Sequence, residues 1–446
     1  MKSFRDTLSL YQEHIDGVFE ATHTYHYPNH EGMPKLVPNR IIYIRNAIDR
    51  FDILKSSELI CTSQDKADIY FDNDYSTPER EQLRQQVMDK DRRRFLNGFP
   101  RDLIKIIKDK NTLLYLDHGM EGWTNIRFDI LEYIFDIPKE KIRWLTSCYK
   151  FNDRESETHP MGDNVIFTNY FETIMADQCA DEEINFKANF ALHMEHYKKK
   201  KQRNMLCTSY MRRRRFPRTF MAMMLNHNDL LKHMYWSLGT LVDGETDIKK
   251  VKHQIDKLEK WSNSKWNSPL GDTDFDWLRS IDKNITCDSN TLVDNLAYGN
   301  SSITWKHIWN TKFALVHETI PNGLEPIFKG IDHIPFLSEK AYKPFATGQL
   351  FVMHGCTGTI RALKDQGYDV FDDIINHDYD LIEDGIERVK KICAEVERLS
   401  KIPDKEWENI LKSLIPRFEY NFNHLSQVRR TVLRVRIEDP KDRTLQ

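Results

Sequence analysis

The chain has 446 residues, too many for one ordinary hydrophobic core and suited to two domains of about 150–200 residues each. Apolar residues make up 40% and charged residues 30%, which excludes a disordered chain and fits a folded protein of the cytosol. The formal net charge of −3 excludes a whole-molecule field pulling the chain toward nucleic acid or an acidic membrane, so any polyanion contact must come from local clusters.

The cysteines, Cys61, Cys148, Cys179, Cys207, Cys287, Cys356 and Cys393, are odd in number and widely spaced, with no Cys-x-x-Cys pair. They read as reduced thiols in a cytosolic compartment rather than a disulfide framework or a zinc knuckle. The opening segment, MKSFRDTLSLYQEH, has no long apolar run, and no stretch reaches the roughly 18 apolar residues of a membrane span. Neither a secretory leader nor a span is expected.

Taken in chain order, Arg40–Ile44 (RIIYI) and Ala67–Phe71 (ADIYF) predict short strands, and 78–95 an exposed, charge-laced helix. An α/β rhythm follows. Thr112–Leu116 (TLLYL) is a strand, DHGMEGW a loop, 125–135 a helix, and Ile142–Thr146 (IRWLT) and Asn164–Thr168 (NVIFT) further strands. A second series opens with the strand Asn204–Thr208 (NMLCT), the basic loop SYMRRRRFPR and a helix over 219–232. The polar region 240–300 reads as an irregular insertion. Phe313–His317 (FALVH) and Leu350–Met353 (LFVM) are strands around a helix over 339–347, and 381–401 and 404–436 are helical, the latter interrupted at Pro416. Strands alternating with helices imply a mostly parallel sheet covered on both faces, formed twice.

Three segments carry candidate chemistry. In 313–358, an apolar strand ends at His317-Glu318, Ser338-Glu339-Lys340 opens a helix that stops at Gly348, and a further strand runs into Gly355 and Gly358. Ligands of open parallel sheets bind beyond the carboxyl ends of strands, where helix N-termini present N–H groups to anions. Ser338 suits an N-cap, Glu339 can accept from both hydroxyls of a ribose, and Lys340 offers a compact positive charge to a diphosphate. Glu318 is placed either to touch a sugar or to pair with a nearby lysine.

The second segment, YKKKKQRNMLCTSYMRRRRFPRT, holds ten Lys or Arg and no acidic residue. Guanidinium groups match phosphate oxygens in a bidentate way, and Arg212, Arg215 and Arg218 share a face if this stretch is helical. Which arginine meets phosphate is left open, and Lys198–Lys201 read as a solvated interdomain linker. The basic tail residues Arg429, Arg430, Arg434 and Arg436 add a competing use of these charges, a footprint for DNA.

The third segment is Asp117-His118-Gly119-Met120-Glu121-Gly122-Trp123, directly after a strand. A cleft-facing carboxylate or imidazole there could take the proton of an attacking hydroxyl, with Glu121 the first choice and Asp117 and His118 next. A glycine turn capped by Asp117 explains the same residues. His23, His26 and His30 read as an exposed loop, and no Asp-x-Asp stands where this fold would need a metal, so no divalent ion is expected.

The pattern strand–Glu–Ser-Glu-Lys–Pro/Gly–strand–Gly resembles the donor-site signature of fucosyltransferase-like GT-B glycosyltransferases. It is closer still to a group of glycosyltransferase-like proteins of tailed phages with a Ser/Thr-Glu-Lys-x-x-Lys-Pro variant, here Ser338, Glu339, Lys340, Lys343 and Pro344. The resemblance implies two Rossmann-like domains facing across a cleft, with Glu339 on the donor ribose and Lys340 on its phosphates. Residues 1–200 would bind the acceptor, 201–400 the nucleotide sugar, and 401–446 would form a helical segment crossing back to the first domain. It implies a cytoplasmic enzyme, of a host cell if phage-encoded, that moves a sugar from a nucleotide-diphosphate donor to a hydroxyl. The acceptor stays open between a hydroxymethylated pyrimidine flipped out of DNA and a saccharide or protein. A non-catalytic nucleotide- or polyanion-binding protein is the reading from another class.

Overall fold

The computed structural model describes residues 18–21, 40–45, scattered helical positions of 78–108, 112–118, 128–149, 165–167, 169–180, 186–211, 216–238, isolated positions of 255–260, 269–281, 303–318 and 335–428. The chain divides into two compact units, residues 1–170 with 430–446, and Phe171–Arg429.

The first unit carries a five-stranded sheet in the order β1 (Val18–Ala21), β2 (Arg40–Arg45), β3 (Thr112–His118), β4 (Ile142–Thr146), β5 (Val165–Phe167). β1 runs antiparallel to β2, and the other pairs are parallel. Helix α1 (Phe128–Phe135) buries Leu131, Ile134 and Phe135, the i, i+3, i+4 set of an amphipathic helix. The strand expected over 67–71 lies outside the described residues, and β1 was not anticipated.

The second unit is built on a wholly parallel four-stranded sheet in the order β7 (Met234–Leu238), β6 (Met205–Met211), β8 (Thr311–His317), β9 (Leu350–His354). Every residue of β9 is buried, as expected of a strand covered on both faces. The chain leaves β6 toward β7 through helix α4 (Phe216–His227), and leaves β8 toward β9 through α7 (Glu339–Thr347). Right-handed crossovers in opposite directions place α4 and α7 on opposite faces and create a switch point between β6 and β8.

Helix α2 (Tyr170–Ala180) and α3 (Phe186–Lys198) precede this sheet; α5 (Asp272–Ser280) and α6 (Trp305–Trp309) lie between β7 and β8; α8 (Thr359–Asp365), α9 (Gly385–Ser400), α10 (Asp404–Ser413) and α11 (Ile415–Gln427) follow β9. α9 packs on α4 and β9, whereas α7 packs on α3 and α11. Gly348 ends α7 in the left-handed conformation (φ +69°), and an added Cβ would sit 2.5 Å from Met194 Cε and 2.8 Å from Phe190 Cε2 of α3. His193 Nδ1 lies 2.8 Å from the Thr347 carbonyl, and the Tyr197 hydroxyl donates to the Gly348 carbonyl at 3.1 Å. The carboxyl end of α7 is thus locked to α3, and Phe345 stacks on Tyr368 at 4.1 Å.

Several expectations need correction. β6 runs on to Met211, so Ser209, in register with Leu315 and Trp236, and Tyr210, in register with Ser237, belong to a central strand rather than to a basic loop. Past Thr208 one face stays covered, with Ser209 and Met211 buried while Tyr210 is exposed, and the hydroxyl of Ser209 finds a partner inside the unit. The helix read over 219–232 spans Phe216–His227, and β7 occupies Met234–Leu238, a strand not anticipated. Lys198 closes α3, and the lysine run up to Lys201 lies inside the second unit, not between units.

Candidate functional site

The carboxyl ends of β6, β8 and β9 converge with the amino ends of α4 and α7. Ser338 caps α7: its Oγ accepts from Lys340 N–H at 3.3 Å, and its extended backbone (φ −87°, ψ 178°) turns the chain into the helix. The helix spans Glu339–Thr347, stopping at its C-cap Gly348 as the sequence indicates, and continues through Pro344, whose missing N–H removes one interior bond.

Glu318, just beyond β8, is fully buried. Its Oε1 accepts from Ser338 N–H at 3.1 Å and its Oε2 from Ser338 Oγ at 2.6 Å. Its main-chain carbonyl accepts from Arg218 Nη2 at 2.8 Å, and the same nitrogen lies 3.2 Å from the His317 carbonyl. Arg218, in the first turn of α4, is itself buried. The basic segment and the Ser-Glu-Lys turn therefore meet on one residue, at the switch point of the sheet. Both carboxylate oxygens of Glu318 are thus engaged by Ser338, a partner twenty residues along the chain.

Glu339 is 4% exposed, with its Oε1 accepting from Lys340 Nζ at 2.7 Å. Burial alone would raise its carboxyl, but the ammonium groups of Lys340 and Lys343 outweigh burial and hold it below the ordinary range. Lys340 Nζ also donates to Ser338 Oγ at 3.2 Å, and its side chain remains 30% exposed. The first turn of α7 thus offers an ionised carboxylate, a half-buried ammonium and helix N–H groups in one place. Gly355 follows β9 with no room for a side chain, since a Cβ would lie 2.7 Å from Thr359 Oγ1.

A buried polar line that is not among the sequence candidates lies behind this turn. Ser209 Oγ lies 2.8 Å from His317 Nε2, and His317 Nδ1 lies 3.2 Å from His354 Nδ1. Burial, then His354 and Arg218, hold His317 well below the ordinary imidazole range. Burial, then Arg388 and Arg218, push His354 down to about 3. Both rings are neutral, so one Nδ1 carries the proton that the other accepts. A signal for them was present: FALVH and LFVMH each end an apolar run on histidine, and the parallel register sets His317 beside His354. Arg388, fully buried on α9, donates to the Gly355 carbonyl at 3.0 Å and also bonds Thr357 Oγ1 and the Ile382 carbonyl, fixing the turn after β9.

Arg212, Arg215 and Glu121 lie outside the described residues, as do His23, His26 and His30. Asp117 and His118 end β3 of the first unit, in register with Leu145 and Thr146. Asn169 precedes α2, and Glu172 inside it accepts from the Tyr368 hydroxyl at 2.7 Å. Among the described residues no group of three His, Cys, Asp or Glu could hold a metal ion, and no helix is long and apolar enough to cross a membrane. Cys148, Cys179, Cys207, Cys356 and Cys393 are free thiols, all buried, and burial pushes the Cys179 thiol up to about 12. The chain matches no protein-family model, no curated protein and no solved structure.

Proposed function

We propose that the chain is a glycosyltransferase of GT-B architecture, in which the unit Phe171–Arg429 binds a nucleotide-diphosphate sugar and the N-terminal unit binds the acceptor. The observation that carries the reading is the meeting of Arg218 with the Ser338-Glu339-Lys340 turn on Glu318, at the carboxyl edge and switch point of a parallel sheet. That place in an open α/β sheet is where nucleotide ligands bind. It is supplied here with a carboxylate for ribose hydroxyls and cations for a diphosphate.

In the reaction, an acceptor hydroxyl attacks the anomeric carbon, the bond from that carbon to the diphosphate oxygen breaks, and a base takes the hydroxyl proton. Lys340 and the arginines of 212–218 would stabilise the charge growing on the departing diphosphate. Glu121, Asp117 and His118 are the candidate bases. Among acceptors, we favour a hydroxymethylated pyrimidine in DNA on the strength of the basic clusters at 198–218 and 429–436. That choice predicts duplex binding that weakens steeply with salt.

A thermal-shift screen of nucleotide sugars on the full chain, with Glu339→Ala alongside, tests the donor reading. One nucleotide sugar is expected to raise the melting temperature of the wild type and not of the variant, and to release nucleoside diphosphate when an acceptor is present. A shift without any diphosphate release from any acceptor would leave a nucleotide-binding protein. A shift that survives the substitution would move the donor site elsewhere.

A further inference from the structure

We propose that Glu318 is the positioning residue of the donor site, a buried carboxylate that orients Lys340 through the hydroxyl of Ser338 and fixes Arg218 through its own main chain. The inference rests on the donor reading above. Glu318 is hydrogen-bonded to three other segments at once: the amino end of α7 through both carboxylate oxygens, the first turn of α4 through its carbonyl, and the end of β9 through its N–H, which donates to the His354 carbonyl at 2.9 Å.

The chemistry of the hydroxyl gives this arrangement a direction. Ser338 has one proton to give and donates it to Glu318 Oε2 at 2.6 Å. Its two lone pairs must then face away from Glu318, and both are used: the Lys340 N–H lies at 3.3 Å and Lys340 Nζ at 3.2 Å. The carboxylate therefore sets which way the hydroxyl accepts, and the hydroxyl helps hold the ammonium that meets phosphate. A carboxylate is required because it only accepts. Glutamine in the same shape would turn one of its two contacts into an N–H donor and claim a lone pair that Lys340 now uses.

Calorimetric titration of the full chain with UDP, GDP, CDP and ADP tests the proposal, using wild type, Glu318→Gln, Ser338→Ala, Ser338→Thr and the double variant Glu318→Gln/Ser338→Ala. Asp274→Ala serves as the destabilised control, because it loses the bond from Gly271 N–H that caps α5 and the contact with His227 at the far end of α4 from Arg218, and touches no site residue. Glu318→Gln and Ser338→Ala are each expected to weaken binding about tenfold, the effect of one hydrogen bond to a charged group. The double variant should be no weaker than either single one, Ser338→Thr should bind like wild type, and Asp274→Ala should melt lower yet bind normally. Full affinity in Glu318→Gln, or additive losses in the double variant, would overturn the positioning role. If wild type binds no nucleoside diphosphate, the donor reading fails by itself. Hydrogen exchange at the Lys340, Ala341 and Tyr342 amides then decides the positioning claim: faster exchange in Glu318→Gln supports it, and unchanged exchange refutes it.

Discussion

Lowering the pH from 7.5 to 5.0 will destabilise the second unit through three histidines buried in their neutral forms. His193 is held down to about 3 by burial and then by Arg203, His354 to about 3 by burial and then by Arg388 and Arg218, and His317 lies well below its ordinary range. The His193 Nε2 atom is buried with no hydrogen-bond partner, so a proton placed there would have no acceptor. Unfolded, each imidazole titrates near 6.5, so the unfolded chain binds protons across this window while the folded unit does not. Stability is therefore full above about pH 6.5 and falls as the pH drops toward the folded values. Each histidine costs about 2 kcal/mol at pH 5.0, and the three together about 6 kcal/mol, a large part of a typical domain's stability. The carboxyl of Asp380, which burial raises, acts in the opposite sense at lower pH, which is why the window stops at 5.0. Native-state hydrogen exchange at the β8 and β9 amides, corrected for the intrinsic rate at each pH, reads the opening free energy of this unit alone. His193→Asn keeps an N–H for the Thr347 carbonyl and removes one titrating group, so it should lose about 2 kcal/mol less over the same window. A wild type whose opening free energy is the same at both pH values, or a variant that loses as much as wild type, would refute the reasoning.

Gly348→Ala should lower stability by about 1–3 kcal/mol, because the position is left-handed and the new Cβ meets Met194 and Phe190; urea unfolding checks it. Tyr368→Phe should cost about 1–3 kcal/mol in the same assay, since it takes a donor from the buried Glu172 carboxylate. Arg388→Met should free the turn after β9 by removing donors from the Gly355 carbonyl and Thr357, visible as faster exchange at Cys356–Thr359 with little change in β1–β5. Duplex DNA carrying hydroxymethylated pyrimidines should bind the full chain at low salt and lose affinity steeply as salt rises; salt-independent or absent binding would exclude a DNA acceptor.

The architecture of the second unit was legible because its strands are short apolar runs and its helices carry their own stop signals. Ser338 and Gly348 bracket α7, and Asp384 caps α9 by accepting from the Ile386 and Glu387 N–H groups. β7 escaped because MYWSL follows a helix without a glycine or proline break, and its strand identity comes from pairing with β6, a long-range contact. β1 escaped for the same reason, its partner being β2 some twenty residues on. Within the site, Ser338, Glu339, Lys340 and Arg218 were visible as residue types beside strand ends. The position of Glu318 was visible, but its partner was not, since the distance from Glu318 to Ser338 along the chain hides a bond made across the turn. Ser209 was misplaced because a polar residue at the end of an apolar run looks like a loop start, and only His317 across the sheet gives it a reason to be inside.

The central claim is that a nucleotide diphosphate seats on the first turn of α7 beside Arg218. Hydrogen–deuterium exchange of the full chain, with and without a saturating nucleotide sugar chosen by the thermal screen, locates the ligand directly. Slower exchange confined to the peptides spanning 338–342 and 216–219 is the expected footprint. Protection appearing only in residues 1–170, with those two peptides unchanged, would contradict the account.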